Sequence, residues 1–181
     1  VILCCAVAVH ERYKEKGISD EIYYHTMSDI KIWCENNDNK GIKNYRWLKN
    51  HVSFELFRIG RLQFQLYESK NKTLLYNKLP FKYGDKVIYI HIPEGEKLEK
   101  DKWIDSIAAA DEFFSKYFPD FLYDYFFCES WLLFKGNIDF MDQNSNIIKF
   151  MSLFDHCYSV KVDHQAIERI FGKRNGYRIV I

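Results

Sequence analysis

The amino-acid sequence predicts a mixed α+β / α/β fold, in which a mostly antiparallel sheet is flanked by helices and follows a helical N-terminal extension. Three observations predict it. Apolar residues recur at helical spacing before residue 52, whereas apolar and polar residues alternate from Phe54 onwards. An apolar run, "VIYIHI" (87–92), then passes through a short turn into an amphipathic helix. We therefore divide the chain into a helical region, residues 1–52, and a sheet domain, residues 53–181.

Composition limits the classes of function. The chain has 181 residues, of which 48% are hydrophobic, so it is long enough for one domain with a substantial core. Its 26 basic and 25 acidic residues give no excess charge to attract nucleic acid or an anionic membrane, and we predict neither as a partner. The apolar start "VILCCAVAV" is shorter than the roughly 20 residues of a membrane span. We interpret it as the remainder of a helix whose beginning is missing.

The cysteines predict a reducing compartment. There are five, an odd number, and no two of them form a C-x-x-C pair. This usage favours free thiols and a cytoplasmic location. His156 and Cys157 have no ligand pair at matching spacing elsewhere, so we predict no metal site.

Start and stop signals place the three N-terminal helices. Gly17 is expected to end the first, and Ser19 to cap the second, with acidic residues in its first turn. The stretch "NYRWLKNH" (44–51) predicts one or two further helical turns.

Short connections predict a meander of three antiparallel strands. "FELFRIG" and "RLQFQLYE" (54–68) are interpreted as one strand with a bulge or bend at Gly60, "TLLYNKL" (73–79) as the second and "VIYIHI" as the third. A helix from about Asp101 to Tyr117 follows, and its strand partner is expected over Tyr125–Leu133, parallel to the third strand. A short helix is predicted in "NSNIIKFMSLF" (144–154), and a strand, a helix and a closing strand in residues 157–181.

Four segments in this order resemble a known family. They are "FRIGRLQF" (57–64), "IHIPEGEKL" (90–98), "FFCESWLL" (126–133) and "SNIIKF" (145–150). Together they are similar to a bacterial family of acyltransferases with a helical NAT N-terminal region and a GNAT-like C-terminal domain.

The resemblance implies a site for acetyl-CoA or another acyl-CoA as co-substrate, and no metal. In GNAT enzymes two strands splay apart beside a central helix, the pantetheine arm lies in the gap, and the pyrophosphate binds amides of the turn at the helix N-terminus. GNAT enzymes usually have Q/R-x-x-G-x-G/A at that turn, whereas this sequence has one glycine and three glutamates. The residues implied to bind the cofactor are Ile90, Ile92, Gly95, Glu96, Lys97, Leu98 and Asn146.

Three residues are candidates for catalysis. His91, near the end of the third strand, is a candidate general base or a structural histidine that closes the strand. Cys128 is predicted across the splay from His91, as a nucleophile or as core packing. Tyr125, or its neighbour Tyr123, is the candidate general acid that the resemblance implies. For Glu129 we expect Arg58 or Arg61 as a partner.

The predicted function is that of a CoA-dependent acyltransferase of GNAT type, which transfers an acyl group, with acetyl the expected one, to an unidentified amine. The acceptor is expected to be a small molecule or a peptide, and the oligomeric state is left open. The alternative is a catalytically inactive GNAT-like module that binds a peptide or a small acyl ligand.

Overall fold

The computed structural model describes residues 1–70 and 78–159. In chain order its elements are α1 (Ile2–Glu15), α2 (Asp20–Glu35), α3 (Tyr45–Val52), β1 (Leu56–Ile59), β2 (Leu62–Glu68), β3 (Lys86–His91), α4 (Lys100–Tyr117), β4 (Phe126–Cys128), a 3-10 turn (Trp131–Leu133), α5 (Asn137–Phe140) and α6 (Asn146–Met151). In these two ranges no helix combines the length and the apolar character that crossing a membrane requires.

The N-terminal helices begin and end at the predicted signals. Gly17 follows α1 with a φ of 69°, a left-handed conformation that glycine adopts without steric cost. The Ser19 hydroxyl accepts a hydrogen bond from the amide N–H of Ile22 at the start of α2. The Asn44 side chain similarly accepts from the amide of Trp47 at the start of α3. Local signals therefore fix the end of α1 and the starts of α2 and α3.

Within the described residues, the sheet has four strands in the order β1-β2-β3-β4. Strand β1 pairs antiparallel with β2, and β2 pairs antiparallel with β3, with Gln63 opposite His91. Strand β3 pairs parallel with β4, with Ile90 opposite Cys128, and α4 lies between them in sequence. The predicted parallel neighbours on either side of a helix are thus confirmed.

Three details of the predicted strands are wrong. Gly60 is the tight turn of a β1–β2 hairpin, with Ile59 opposite Leu62, rather than a bulge inside one strand. Strands β2 and β3 are direct neighbours in the sheet, paired over six positions, whereas the prediction placed another strand between them. The β4 strand ends at Cys128, and the 3-10 turn replaces the strand expected to reach Leu133. Residues 73–77 of the predicted second strand lie outside the described residues, as do residues 160–181 of the predicted closing elements.

One hydrophobic core joins the helical region to the sheet. Tyr13 of α1 and Tyr23 of α2 are buried in the same cluster as Phe57 of β1 and Phe114 of α4. The Tyr13 ring contacts Phe57 at a centroid distance of 5.7 Å, and Phe57 contacts Phe113 at 5.1 Å. Tyr13 of α1 therefore contacts the face of the sheet that α4 covers. The division at residues 52 and 53 stays a prediction.

Candidate active site

A cleft opens where β3 and β4 separate. The two strands are paired up to Ile90 and Cys128, and beyond this pair their backbones part. The cleft between them has a volume of about 510 Å³. Its walls are the segment after β3, the segment after β4, and side chains of α2 and α3 that lie above the sheet. The splayed strands predicted from the sequence thus have a counterpart in the structure.

His91 lines this cleft. Its Nε2 atom is 3.0 Å from Oε1 of Gln65, two residues along β2 from its direct partner Gln63. Its ring stacks on Tyr89 at 4.3 Å and meets the edge of Trp47 at 4.8 Å. Because the amide oxygen of Gln65 accepts this hydrogen bond, the ring proton is on Nε2, and the unprotonated nitrogen is Nδ1. The surrounding groups therefore fix both the orientation and the tautomer of the ring.

Burial keeps the His91 imidazole neutral. It lowers the pKa of His91 to about 3, with a smaller contribution in the same direction from the charge of His51 and an opposing one from Asp29. At neutral pH the ring is thus an uncharged hydrogen-bond acceptor at Nδ1. The ordinary value near 6.5, on which the sequence-based expectation rested, does not apply here.

A buried polar network lies beside His91 and joins the helices to the sheet. Oδ2 of Asp29 on α2 accepts hydrogen bonds from the indole N–H groups of Trp47, at 2.6 Å, and Trp33, at 3.2 Å. Nε2 of His51 on α3 is 3.1 Å from the same oxygen and 3.4 Å from Nε2 of Gln63. Asp29, His51 and Gln63 are all buried. The network therefore fixes Trp47, whose ring contacts His91.

The Asp29 carboxyl remains charged despite its burial. Burial acts to raise its pKa, but the hydrogen bond and charge of His51 and the two indole donors outweigh it, so the pKa lies below its ordinary value. A buried carboxylate is stable only when it is paired in this way.

Arg61 holds the turn that follows β3. Its guanidinium donates three hydrogen bonds to backbone carbonyls of the turn: Nη1 to Pro93 at 2.9 Å, Nη2 to Glu96 at 2.6 Å and Nε to Lys97 at 3.0 Å. The amide N–H of Arg61 donates to Oγ of Ser106 in α4 at 2.6 Å. The β1–β2 hairpin turn is thus joined both to the turn after β3 and to the helix that follows it.

The three glutamates of this turn each have a side-chain partner. Glu96 forms an ion pair with Arg58 at 2.7 Å, and Glu94 accepts a hydrogen bond from the Asn36 side chain at 3.0 Å. Glu99 is 3.1 Å from Lys102. An anion at the turn would therefore meet carboxylates whose charge is already partly offset by neighbouring donors.

Comparisons with known proteins agree with this geometry. Residues 56–179 match the family model of the GNAT-like C-terminal domain, and residues 1–54 match that of the N-acyltransferase N-terminal domain. The chain belongs to the GNAT-like family. Both parts of the resemblance and the mixed α+β fold are therefore confirmed.

Similar solved structures are acyltransferases with bound ligands. One is an acyltransferase in complex with decanoyl-CoA and teicoplanin, 25% identical with a TM-score of 0.84. Another is an acyltransferase in complex with CoA and 10C-teicoplanin, 24% identical with a TM-score of 0.84. Each match covers 98% of this chain but only 54% of the other, so this chain spans about half the length of these proteins. No curated protein matches the chain.

Within this GNAT-like site, the structure separates the residues predicted to bind the cofactor. Ile90, Ile92, Gly95 and Glu96 line the cleft. Lys97 lies outside its walls, and Leu98 is a core residue that is 7% exposed. Asn146 is the first residue of α6, directly after its cap Ser145. It lines neither the cleft nor a second, larger cavity of about 1380 Å³ that lies beyond β4. The turn and strand residues are thus together, whereas Asn146 is apart from them.

Cys128 does not form the predicted pair with His91. Because Ile90 is its partner in the parallel register, its side chain lies on the core face of the sheet, whereas His91 lies on the other face. Burial, and then the charge of Glu129, raises the pKa of Cys128 to about 12. The thiol is therefore protonated at neutral pH, and its position favours core packing over nucleophilic chemistry.

Tyr125 is likewise distant from His91. It precedes β4, next to the Val87 end of the sheet, and lines the larger cavity rather than the cleft. Tyr123 donates a hydrogen bond to Oδ1 of Asp111 at 2.7 Å, and burial together with that carboxylate raises its pKa. The structure therefore brings neither tyrosine to the cleft.

Glu129 has a different partner from the predicted arginines. The hydroxyl of Tyr158 donates to Oε2 of Glu129 at 2.6 Å. Arg58 pairs with Glu96, and the Arg61 guanidinium bonds to the turn carbonyls, so neither of them meets Glu129.

Sequence reasoning missed the buried network and the role of Arg61. A signal for the network existed, since Asp29 and Trp33, and likewise Trp47 and His51, are four residues apart on predicted helices and so share a face. For Arg61 the sequence contains no comparable signal, because its contacts span more than 30 residues.

Proposed function

We propose that this chain is the catalytic part of a CoA-dependent N-acyltransferase, which moves an acyl group from acyl-CoA directly to an amine. One observation supports this most strongly. A neutral imidazole with a free Nδ1 lies where the pairing of β3 and β4 ends, next to a turn whose carbonyls are bound by Arg61. Direct transfer needs both a proton acceptor for the amine and a binding site that holds acyl-CoA.

The turn after β3 has the chemistry that a pyrophosphate requires. Within the part of the chain that the structure describes, the amides of Gly95, Glu96 and Lys97 donate to no protein acceptor. Helix α4 begins directly afterwards, and its first residue follows Glu99, which makes no side-chain cap. Free amides and the positive end of a helix favour a bound anion. Lys97, Lys100 and Lys102 add positive charge around the same turn.

His91 is proposed to accept the proton of the attacking amine. As the amine nitrogen attacks the thioester carbonyl, Nδ1 takes the N–H proton, and the ring becomes an imidazolium that Gln65 holds through Nε2. The tetrahedral intermediate then collapses with cleavage of the C–S bond. The CoA thiolate leaves and takes the proton from Nδ1, which returns the ring to its neutral form. A base with so low a pKa is weak, so we place its contribution at the lower end of the usual range of about 10²–10⁴ in rate.

The acyl group is proposed to be longer than acetyl. The structural neighbours were solved with decanoyl-CoA and with CoA beside 10C-teicoplanin. A cavity of about 1380 Å³ beyond β4 shares Cys128, Glu129, Ser130 and Trp131 with the cleft. Its other lining residues include Phe126, Leu133, Ile148 and Met151. Apolar walls of this kind favour an alkyl chain.

We propose an amine-bearing small molecule or peptide as the acceptor.

The first test is ligand binding by the complete chain. CoA, acetyl-CoA, octanoyl-CoA and decanoyl-CoA are compared by thermal denaturation. A ligand at 100 times its dissociation constant should stabilise the fold by about 2.7 kcal/mol. The longer acyl-CoAs should bind more tightly than acetyl-CoA. The absence of any shift at millimolar concentration would refute the proposal and favour a module that binds a different ligand.

The second test is turnover. Release of the CoA thiol is followed with a panel of primary amines for the wild type, His91→Ala and the control His25→Ala, which changes an exposed histidine on α2. We expect His91→Ala to keep its affinity for acyl-CoA and to lower the transfer rate by about 10²-fold or more. Normal turnover per folded molecule in His91→Ala would rule out the base. Binding without transfer in any wild-type reaction would favour the inactive binding module.

A cytoplasmic location remains part of this proposal. It is supported by the five cysteines, all of which are free thiols in the structure.

A further inference from the structure

We propose that Arg61 is a positioning residue for acyl-CoA, the acyl donor. Its guanidinium binds the carbonyls of the turn after β3, so that the amides of this turn point the other way and face the pyrophosphate of acyl-CoA. The inference rests on the proposed function, but it concerns a residue outside the turn, on the β1–β2 hairpin. It also explains how a turn with a single glycine can present several amides at once.

The contacts of Arg61 cover the whole turn. Each of the three guanidinium nitrogen atoms donates one hydrogen bond, to the carbonyls of Pro93, Glu96 and Lys97. Arg61 is buried, with 4% of its surface exposed, so its guanidinium bonds to protein carbonyls and not to solvent. A buried guanidinium needs acceptors for its N–H groups, and the turn carbonyls supply one for each of its three nitrogen atoms.

Fixing the carbonyls also fixes the amides. Each peptide unit is planar with its N–H opposite its C=O, so a carbonyl that is turned towards Arg61 directs the amide of the next residue away from it. The carbonyls of Glu96 and Lys97 belong to the same peptide units as the amides of Lys97 and Leu98. These amides donate to no acceptor within residues 1–70 and 78–159.

The hairpin that supplies Arg61 is itself held on the helix. The Arg61 amide donates to Oγ of Ser106, which in turn donates to the carbonyl of Lys102 in the first turns of α4. A β-carbon on Gly60 would lie 2.6 Å from the same Oγ. The hairpin, the turn and the start of α4 therefore form one unit, and two of the sequence segments that resemble the family are in contact within it.

Arginine is required by this geometry, since lysine would carry the same charge without the planar fork. One ammonium group cannot reach three carbonyls that are arranged around the edge of a guanidinium. The matched control is Arg58→Lys. Arg58 is the neighbouring buried arginine, and its one contact with the turn is an ion pair with the Glu96 side chain, which lysine can also make.

The experiment compares Arg61→Lys, Arg58→Lys and the wild type in binding CoA and an acyl pantetheine, which has the same thiol arm without the pyrophosphate. We expect Arg61→Lys to bind CoA about 10- to 100-fold more weakly, the cost of losing one hydrogen bond to a charged group. Its affinity for the acyl pantetheine should stay within about twofold of the wild type, as should both affinities of Arg58→Lys. Gly95→Ala, at an exposed position with a φ of 103°, is a second variant that disturbs the turn without touching the core and should reproduce the selective loss.

Backbone amide NMR of the unmodified chain makes the test independent of turnover. Titration with CoA, and separately with inorganic pyrophosphate, should shift the amide signals of Lys97 and Leu98, whose peptide units Arg61 holds, and these shifts should be much smaller in Arg61→Lys. Equal losses in the two lysine variants, or equal losses for CoA and acyl pantetheine, would overturn the inference. So would turn amides that respond to neither anion. Arg61-dependent binding without any acyl transfer would refute the proposed function and support the inference.

Discussion

Replacing Asp29 by asparagine tests whether the buried network stabilises the fold. The wild-type carboxylate accepts from two indole N–H groups, at 2.6 and 3.2 Å, and lies 3.1 Å from Nε2 of His51. A hydrogen bond to a charged group contributes about 1.5–3 kcal/mol, against about 0.5–1.5 for a neutral pair, so each indole bond should lose about 1 kcal/mol. With the lost attraction to His51, we expect Asp29→Asn to lower the free energy of unfolding by about 2–4 kcal/mol.

Urea denaturation at neutral pH measures this difference. The control is Asp105→Asn, the same change at an exposed position on α4, which should cost no more than about 0.5 kcal/mol. Equal free energies of unfolding for the two variants would refute the reasoning, since the Asp29 charge would then add nothing.

The pH dependence gives a second check on Asp29. Its pKa in the folded protein lies below the unfolded value of about 3.9, so its contribution is present at neutral pH and is lost as the pH falls through the folded value. The variant lacks this ionisation, so the difference in stability between wild type and Asp29→Asn should narrow in acid. A constant difference from pH 7 to pH 2 would contradict the shifted pKa.

Three further predictions concern packing, the hairpin turn and thiol reactivity. Phe57→Ala should lower the free energy of unfolding by about 3–5 kcal/mol in urea, because the ring is fully buried among other aromatic rings; a loss below 1 kcal/mol would contradict this. Gly60→Ala should cost about 1–3 kcal/mol in the same assay, since φ is 61° and the new methyl group meets Ser106; an unchanged midpoint would contradict the close contact. Iodoacetamide at pH 7.5 should modify the exposed Cys4 well before Cys128, whose pKa is raised to about 12, as measured by peptide mass spectrometry; the reverse order would contradict the burial of Cys128.

The elements that local signals determine were predictable from the sequence. Ser19 caps α2 at the expected position, and the helix expected from about Asp101 is observed as α4 (Lys100–Tyr117). The parallel pairing of β3 with β4 was predictable too, because the intervening helix requires a crossover. Each of these predictions depends on residues that are close in sequence, or on a general rule of chain connection.

Strand pairing and strand length were not fully predictable, because both depend on distant partners. Residues 54–68 alternate as one long strand would, and the sequence does not distinguish a bulge at Gly60 from a turn. The turn is favoured by contacts made 45 residues later, where the Arg61 amide meets the Ser106 hydroxyl. Likewise, Glu129 and Ser130 continue an apolar run, but β4 ends at Cys128, where β3 no longer runs beside it.

The same distinction applies to the site, and His91 shows it best. Alternation along β3 placed this residue correctly at the end of the strand, but its chemistry depends on groups from two other elements. Gln65 of β2 fixes the ring proton, Trp47 of α3 covers the ring, and His51 lowers its pKa further than burial alone would.

A histidine with a pKa near 6.5 would make the transfer rate rise with pH between about 5 and 8. With a pKa of about 3 the ring is already neutral throughout that range, so it should impose no pH dependence there. Any rise in rate above pH 6 should instead follow the ionisation of the amine acceptor, and should therefore move when an amine of different basicity is used. A rise that stayed at the same pH with every amine, and that disappeared in His91→Ala, would show that the ring titrates near its ordinary value and that the burial argument for His91 is wrong.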